Sequence, residues 1–265
     1  LNSLDIASVQ NSQGGDVFII ASGPSARDFP LMNYSHIPML ALNGSVRLFD
    51  EAGISPLFYM CDDGSFVRNR LPMLLRAIEI SQNLALSPGV IDNLLKLKKC
   101  ALDDIDVYRF ERVNRPGEDK PALSDRCFAW RARRDSDMEC HFSLLRQKPN
   151  RIGFCRNLAK GYFSGRTIPY AGIQLAYHLG FSRVFLVGVD LDSSLGRFYE
   201  QGEEAVPSRL DGDYFDYILP CFQLMARRVL GEHFAVYNLS LNSRLPADLI
   251  PKISIDQLDG LLVNS

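Results

Sequence analysis

Four short polar clusters each close an apolar run, and each has a chemistry open to it. Ser22-Gly23-Pro24-Ser25 ends the run Val17–Ala21. Gly23 permits close backbone approach and Pro24 suits a first helical position. The N–H groups of such a helix start attract an anion, so Ser22, Gly23 and Ser25 are candidate phosphate ligands. A tight turn without a ligand is the plain alternative. Asn43 follows Met39–Leu42 and is able to donate to and accept from a base or ribose. Asn43 or Ser45 could instead cap the next helix. Asp62 and Asp63 follow Leu57–Met60. Paired carboxylates at a strand end can hold a metal, bind sugar hydroxyls or take a proton, and can equally cap the helix at Phe66. Asp190-Leu191-Asp192 is a DxD, the pattern that holds Mg²⁺ beneath a nucleotide diphosphate. It is short and frequent, and no metal is expected here.

Other chemistries lack their signatures. Gly23 stands alone, without GxGxxG, and no GxxxxGK[ST] occurs, which weakens NAD, S-adenosylmethionine and P-loop readings. The six cysteines form no CxxC and no histidine pair has zinc spacing. Scattered thiols of this kind suit a reducing compartment, so a cytoplasmic protein is expected. Of the four histidines, His178 lies in an apolar helix and reads as structural. His141 belongs to a basic stretch, and no Ser/His/Asp arrangement is legible.

These clusters need a scaffold that brings strand ends together. Val17–Ala21, Met39–Leu42, Leu57–Met60 and Arg183–Val187 read as buried strands, with Leu84–Leu86 and Ala235–Leu239 as further candidates. Helical patterns lie at Ser45–Ala52, Phe66–Ile80, Ile91–Leu97, Ile173–Leu179 and Tyr214–Leu230. The alternation predicts an α/β fold: one Rossmann-like domain over 1–265, with a mainly parallel open sheet flanked by helices, a GT-A-like variant. In such sheets ligands sit beyond the carboxyl ends of the strands.

Two regions break the rhythm. Residues 109–156 carry 12 Lys and Arg against 7 Asp and Glu, and hold the single tryptophan, Trp130, beside Phe128. This basic insertion is expected to meet an acceptor or a membrane surface. Residues 193–213 are polar and contain three glycines, a lid-like loop. The whole chain has a net charge of -2 and 46% hydrophobic residues, so nothing global points to nucleic acid, and no run is long enough to cross a membrane. The first residues lack the basic and apolar regions of a signal peptide.

The order of these pieces resembles bacterial sialyltransferases that use CMP-activated sugars. The shared features are the strand into Gly-Pro-Ser, the strand ending in Asn43, Arg166-Thr167, and the block Leu179-Gly180-Phe181-Ser182-Arg183-Val184-Phe185-Leu186-Val187-Gly188-Val189-Asp190. The whole chain looks closer still to the WaaZ-type enzymes of lipopolysaccharide core assembly, which transfer Kdo (3-deoxy-D-manno-octulosonic acid) from CMP-Kdo. Phe18 to Pro30, Ala41 to Ser45 and Ala52 to Tyr59 carry that likeness.

The resemblance implies Ser22, Gly23 and Asn43 at the cytidine nucleotide. It puts Arg166 and Thr167 at the sugar carboxylate and the acceptor side, and Tyr199 as a lid tyrosine on the leaving phosphate. Where the sialyltransferases have a catalytic histidine, this chain has Asp211-Gly212-Asp213. A carboxylate base is therefore expected, first Asp62 or Asp63, then Asp211 or Asp213. No cofactor is implied, the CMP-sugar being a substrate. The implied acceptor is a lipopolysaccharide core or lipid A-linked saccharide, with peripheral contact at the inner face of the inner membrane. A sialyltransferase and a non-catalytic nucleotide-binding module remain the alternatives.

Overall fold

The computed structural model describes residues 1–114, 123–200 and 210–263. Its strands are β1 (Asn2–Leu4), β2 (Asp16–Ile20), β3 (Met39–Leu42), β4 (Phe58–Cys61), β5 (Leu84–Leu86), β6 (Asp106–Arg109), β7 (Met138–Cys140), β8 (Gly153–Cys155), β9 (Arg183–Val187) and β10 (Ala235–Asn238). Its helices are α1 (Val46–Ala52), α2 (Gly64–Asn69), α3 (Leu71–Ile80), α4 (Pro88–Leu97), α5 (Asp125–Ala132), α6 (Ile168–Leu179), α7 (Leu210–Asp213), α8 (Leu219–Arg228) and α9 (Ile255–Val263).

Eight strands form one sheet in the order β1-β6-β5-β4-β3-β2-β9-β10, and every pairing in it is parallel. The α/β architecture is that read from the sequence. A parallel sheet buries both faces, which is why β2 reads Val-Phe-Ile-Ile without alternation. Val17 and Ile19 enter one core with Leu40, Leu42 and α6. Phe18 and Ile20 enter the other with Phe49, Leu74, Leu94 and Leu258. Gly172 lets α6 lie close to the sheet, because a side chain there would press on Ile19 and Leu42.

The chain leaves β2 toward β3 on one side, and β9 returns on the other. This reversal opens a crevice beyond the carboxyl ends of β2 and β9. All the polar clusters quoted above lie at or beside it.

Local sequence explains where boundaries differ from expectation. The helix expected over Phe66–Ile80 breaks at Arg70, whose backbone is non-helical (φ -139°, ψ 36°), ahead of Leu71-Pro72. The expected Tyr214–Leu230 helix opens as a π-helical turn at Tyr214–Ile218, where Pro220 removes an N–H from the next turn.

The basic region 109–156 is not wholly superficial. It forms α5 and the antiparallel pair β7–β8, and Phe128, Ala129, Cys140 and Phe154 join the first core. Residues 115–122 of that region and 201–209 of the expected lid lie outside the described residues. All six cysteines are free thiols, and among the described residues no helix is long and apolar enough to cross a membrane.

Candidate active site

A cleft of about 730 Å³ lies over the ends of β2, β3, β4 and β9. Ser22, Gly23, Asn43, Asp62, Asp63, Arg166, Thr167, Tyr199 and Asp213 all border it. Ser25 and Asp211 do not.

The Ser-Gly-Pro-Ser turn is a brace. Gly23 N–H donates to the Gly188 carbonyl at 2.9 Å, and Ser25 N–H donates to Asp190 Oδ2 at 3.0 Å. The Ser25 hydroxyl pairs with that of Ser240 at 2.7 Å. These N–H groups are therefore spent on the end of β9, and the helical piece is only Pro24–Ala26. Ser25 and the Gly23 amide, expected as phosphate ligands, are thus engaged within the fold. Gly23 is required for packing, since a Cβ there would collide with Asp190 and the Gly188 carbonyl. What the turn leaves facing the cleft is Ser22.

Asn43 is held ready by its neighbours. Ser45 Oγ accepts Leu42 N–H at 2.8 Å and closes the strand end, so the capping duty does not fall on Asn43. Asn43 takes a left-handed backbone (φ 48°), and its side-chain Oδ1 is buried with no partner. A buried carbonyl without a donor is costly, and an external N–H or O–H would relieve it. Arg166 (φ 61°) and Leu191 (φ 55°) are also left-handed and also border the cleft. Such backbone strain collects where a site is being shaped.

Tyr199 covers Asn43's neighbour. Its ring packs on Gly44, where any Cβ would run into it, and Tyr199 and Ser22 border the cleft together. Burial, above all, pushes its pKa up to about 12, so it stays a neutral donor. Phe198 N–H donates to the Ser22 carbonyl at 3.2 Å, and Arg27 donates to the Phe198 carbonyl at 2.9 Å. Glu200 is gripped by Arg197 at 2.6 Å and Arg70 at 3.7 Å. The described start of the lid-like loop is thus tied down over the cleft.

The carboxylates separate by partner. Asp63 caps α2, accepting from Ser65 N–H at 2.8 Å and its hydroxyl at 2.6 Å. Asp62 accepts from Arg112 Nε at 2.7 Å and from the Tyr162 hydroxyl, while Arg112 also donates to its backbone carbonyl at 2.9 Å. Burial and the charge of Asp62 hold the Tyr162 phenol well above its ordinary value. Asp211 is 62% exposed in its side chain and pairs with Arg244 at 2.6 Å. Asp213 faces Arg166 at 4.0 Å, the loosest of these pairings. Arg166 in turn lies 4.6 Å over the Tyr217 ring.

In the DxD, Asp190 is buried against Ser25 N–H and Asp192 caps the turn at Ser193–Leu195. Among the described residues no group of three or more His, Cys, Asp or Glu could hold a metal. His178 is structural: Leu158 N–H donates to Nδ1 at 3.2 Å, and Nε2 meets the Ile6 carbonyl at 2.8 Å.

Among the lining residues that sequence reasoning missed are Arg68, Arg70, Arg112, Arg197 and Tyr162. Arg112 and Tyr162, 50 residues apart, meet through an isolated parallel bridge and a side-chain hydrogen bond of 3.1 Å. No local signal announces that. Arg197 stands two residues before Tyr199, so the lid motif itself could have suggested it.

The family model described as 3-deoxy-D-manno-octulosonic acid transferase WaaZ matches residues 2–256. A protein of Escherichia coli K12, described as a probable 3-deoxy-manno-octulosonic acid transferase, is 29% identical over 95% of this chain and 87% of its own. A counterpart of the same description in Salmonella typhimurium LT2 is 28% identical over 92% of this chain and 88% of its own. Among solved structures, the MAf glycosyltransferase of Magnetospirillum magneticum AMB-1 shares the fold, with a TM-score of 0.52 and 16% identity. The alignment spans 98% of this chain but only 40% of that one. The cleft thus belongs to a glycosyltransferase built on a parallel α/β sheet. More specifically, the chain is a member of the WaaZ family of Kdo transferases.

Proposed function

We propose that the chain transfers Kdo from CMP-Kdo to a saccharide of the lipopolysaccharide core, by direct displacement and without a metal. The observation that carries this reading is the unpartnered Asn43 Oδ1 on the cleft wall beside Ser22 and Tyr199. A nucleoside offers the missing donor as a ribose hydroxyl or a base amino group. The phosphate of CMP would then lie against the Ser22 and Tyr199 hydroxyls, both neutral donors. CMP leaves as a monophosphate, and such donors with the arginines of the cleft supply the stabilisation a metal would otherwise give.

Arg166 is assigned the sugar carboxylate, which its planar guanidinium suits in bidentate fashion, with Thr167 beside it. Asp213 is assigned the acceptor proton. Its partner is looser than those of Asp62, Asp63 and Asp211, and it faces both the cleft and Arg166. In the step, the acceptor oxygen attacks the anomeric carbon and its proton passes to Asp213. The bond from that carbon to the phosphate oxygen breaks, and its electron pair leaves with CMP. The order of base candidates read from the sequence is thereby reversed, because Asp62 and Asp63 are spent on Arg112 and on a helix cap.

Calorimetric titration tests the nucleotide assignment. CMP should bind selectively over UMP, NAD and S-adenosylhomocysteine, and equally well in EDTA. Binding of NAD or S-adenosylhomocysteine instead, or loss of CMP binding in EDTA, overturns it. The membrane-borne acceptor implied by this reading gives a peripheral contact its purpose.

A further inference from the structure

Leu145 is 93% exposed and Leu144 69% exposed, at the tip of the loop that joins β7 to β8. That loop is built. Asn150 is fully buried beneath it and donates to the carbonyls of Ser143 and Arg146, each at 2.9 Å. Its Oδ1 accepts Ser143 N–H at 2.6 Å. Ser143 Oγ accepts the N–H groups of Leu145 at 3.2 Å and Arg146 at 3.0 Å. An asparagine with three backbone bonds thus fixes a turn whose apex is two bare leucines. Scattered exposed leucines need no explanation, but a rigid pair held into water does.

The leucines are not alone. Lys148, just past the tip, pairs with Asp216, next to Phe215, which is 68% exposed. Arg244 lies 5.3 Å over the Phe215 ring. On the other side Arg133 lies 5.9 Å from the Phe142 ring, and Arg134 lies 3.5 Å over half-exposed Trp130. The face alternates bare apolar groups with cations. The acids beside it are each paired with a cation: Asp216 with Lys148, Asp211 with Arg244 and Asp213 with Arg166. The Arg146 guanidinium has no side-chain partner among the described residues. At its near end the face reaches Tyr217, which lies under Arg166 at the cleft.

We propose that this face, centred on Leu144, Leu145 and Arg146, docks on an anionic lipid leaflet. The leucines enter between the head groups and the arginines sit at phosphate level, the arrangement of interfacial anchors. Charge complementarity selects lipid over an apolar protein partner. The surface lies within the basic region expected from the sequence and extends to Phe215 and Arg244, although Phe128 is buried and cannot be an anchor. The purpose of the docking rests on the acceptor reading above, because it holds the cleft mouth beside a lipid-linked saccharide. Its deciding readout, vesicle binding, uses neither nucleotide nor acceptor, so failure here leaves the donor assignment standing.

The full chain is floated with vesicles of phosphatidylethanolamine and phosphatidylglycerol, and with phosphatidylcholine alone, at 0.15 M salt. Binding to the phosphatidylglycerol vesicles is expected, roughly tenfold or more tighter than to phosphatidylcholine. Leu144→Ser with Leu145→Ser should weaken it by roughly tenfold or more, and Arg146→Ser by about fivefold. Melting temperature and CMP affinity should not change in either variant, because all three side chains project from the fold. Absent flotation of the wild type, or flotation unaltered in the double variant, overturns the proposal. So does a dimer in light scattering that the double variant dissolves without any vesicle binding, which would give the face to a second copy of the chain.

Discussion

Replacing Asn43 by glycine separates a ligand-binding residue from a structural one. In the free protein Asn43 carries two costs. Its buried, unpartnered Oδ1 costs about 1–3 kcal/mol, and a left-handed backbone at a residue with a Cβ costs about 1–2 kcal/mol. Glycine removes both, and gives back about 0.5–1 kcal/mol in unfolded-chain entropy. Asn43→Gly should therefore be stabilising, by about 1 to 4.5 kcal/mol on these terms. For a chain of this size each kcal/mol is about 2–4 °C of melting temperature. CMP loses its acceptor at the same time, and its own donor is left buried and unpaired. That costs about 1–3 kcal/mol, a rise in Kd of about fivefold to 150-fold. Thermal melting and calorimetry on the same sample read the two signs. A lower melting temperature with CMP affinity within about twofold of wild type would refute the reasoning, because Asn43 would then serve the fold.

Three further outcomes are expected. Asp213→Asn should lower turnover by about 10²–10⁴ with little change in CMP affinity, while Asp63→Asn and Asp211→Asn should stay close to wild type in steady-state kinetics. Gly44→Ala forces the Tyr199 ring off its seat and should raise the Kd for CMP by roughly tenfold, matching Tyr199→Phe if the hydroxyl is the lost contact. Burial lowers the His178 pKa below its ordinary 6.5, so below that pH the unfolded chain takes up the proton first. The stability it contributes is full above pH 6.5 and is lost as pH falls from there toward the depressed native value, at up to about 1.4 kcal/mol per pH unit. Denaturant melts from pH 7.5 to 5 should show this slope in wild type and lose that share of it in His178→Gln.

The sheet was legible because burial on both faces writes continuous apolar runs. Arg183–Val187 and Met39–Leu42 have the bounds expected, and β2 and β4 differ by one residue. The edge strands were not legible. Asn2–Leu4 is mostly exposed and Asp106–Arg109 buries only Val107 and Tyr108 between two charged ends, so neither carries the signal of a buried parallel strand. In the basic region, charge masked α5, whose buried residues are only Phe128, Ala129 and Ala132.

At the site, residue types at strand ends named Ser22, Asn43 and Asp62 as neighbours of one cleft, and the family resemblance added Tyr199. The sequence could not say which polar groups were already taken. Ser25, Asp63 and Asp190 have the right chemistry, yet each is spent on a brace or a cap. Arg112 was invisible for the opposite reason. It reaches Asp62 across 50 positions, and no periodicity encodes such a contact.

The central claim is a CMP-Kdo donor used without a metal. Its most direct test is CMP release from CMP-Kdo in the presence of a lipopolysaccharide core saccharide, with and without EDTA. The account predicts acceptor-dependent release, equal in EDTA, with a Kdo-extended saccharide as product. No release from CMP-Kdo, or release abolished by EDTA and restored by Mg²⁺ or Mn²⁺, would contradict it.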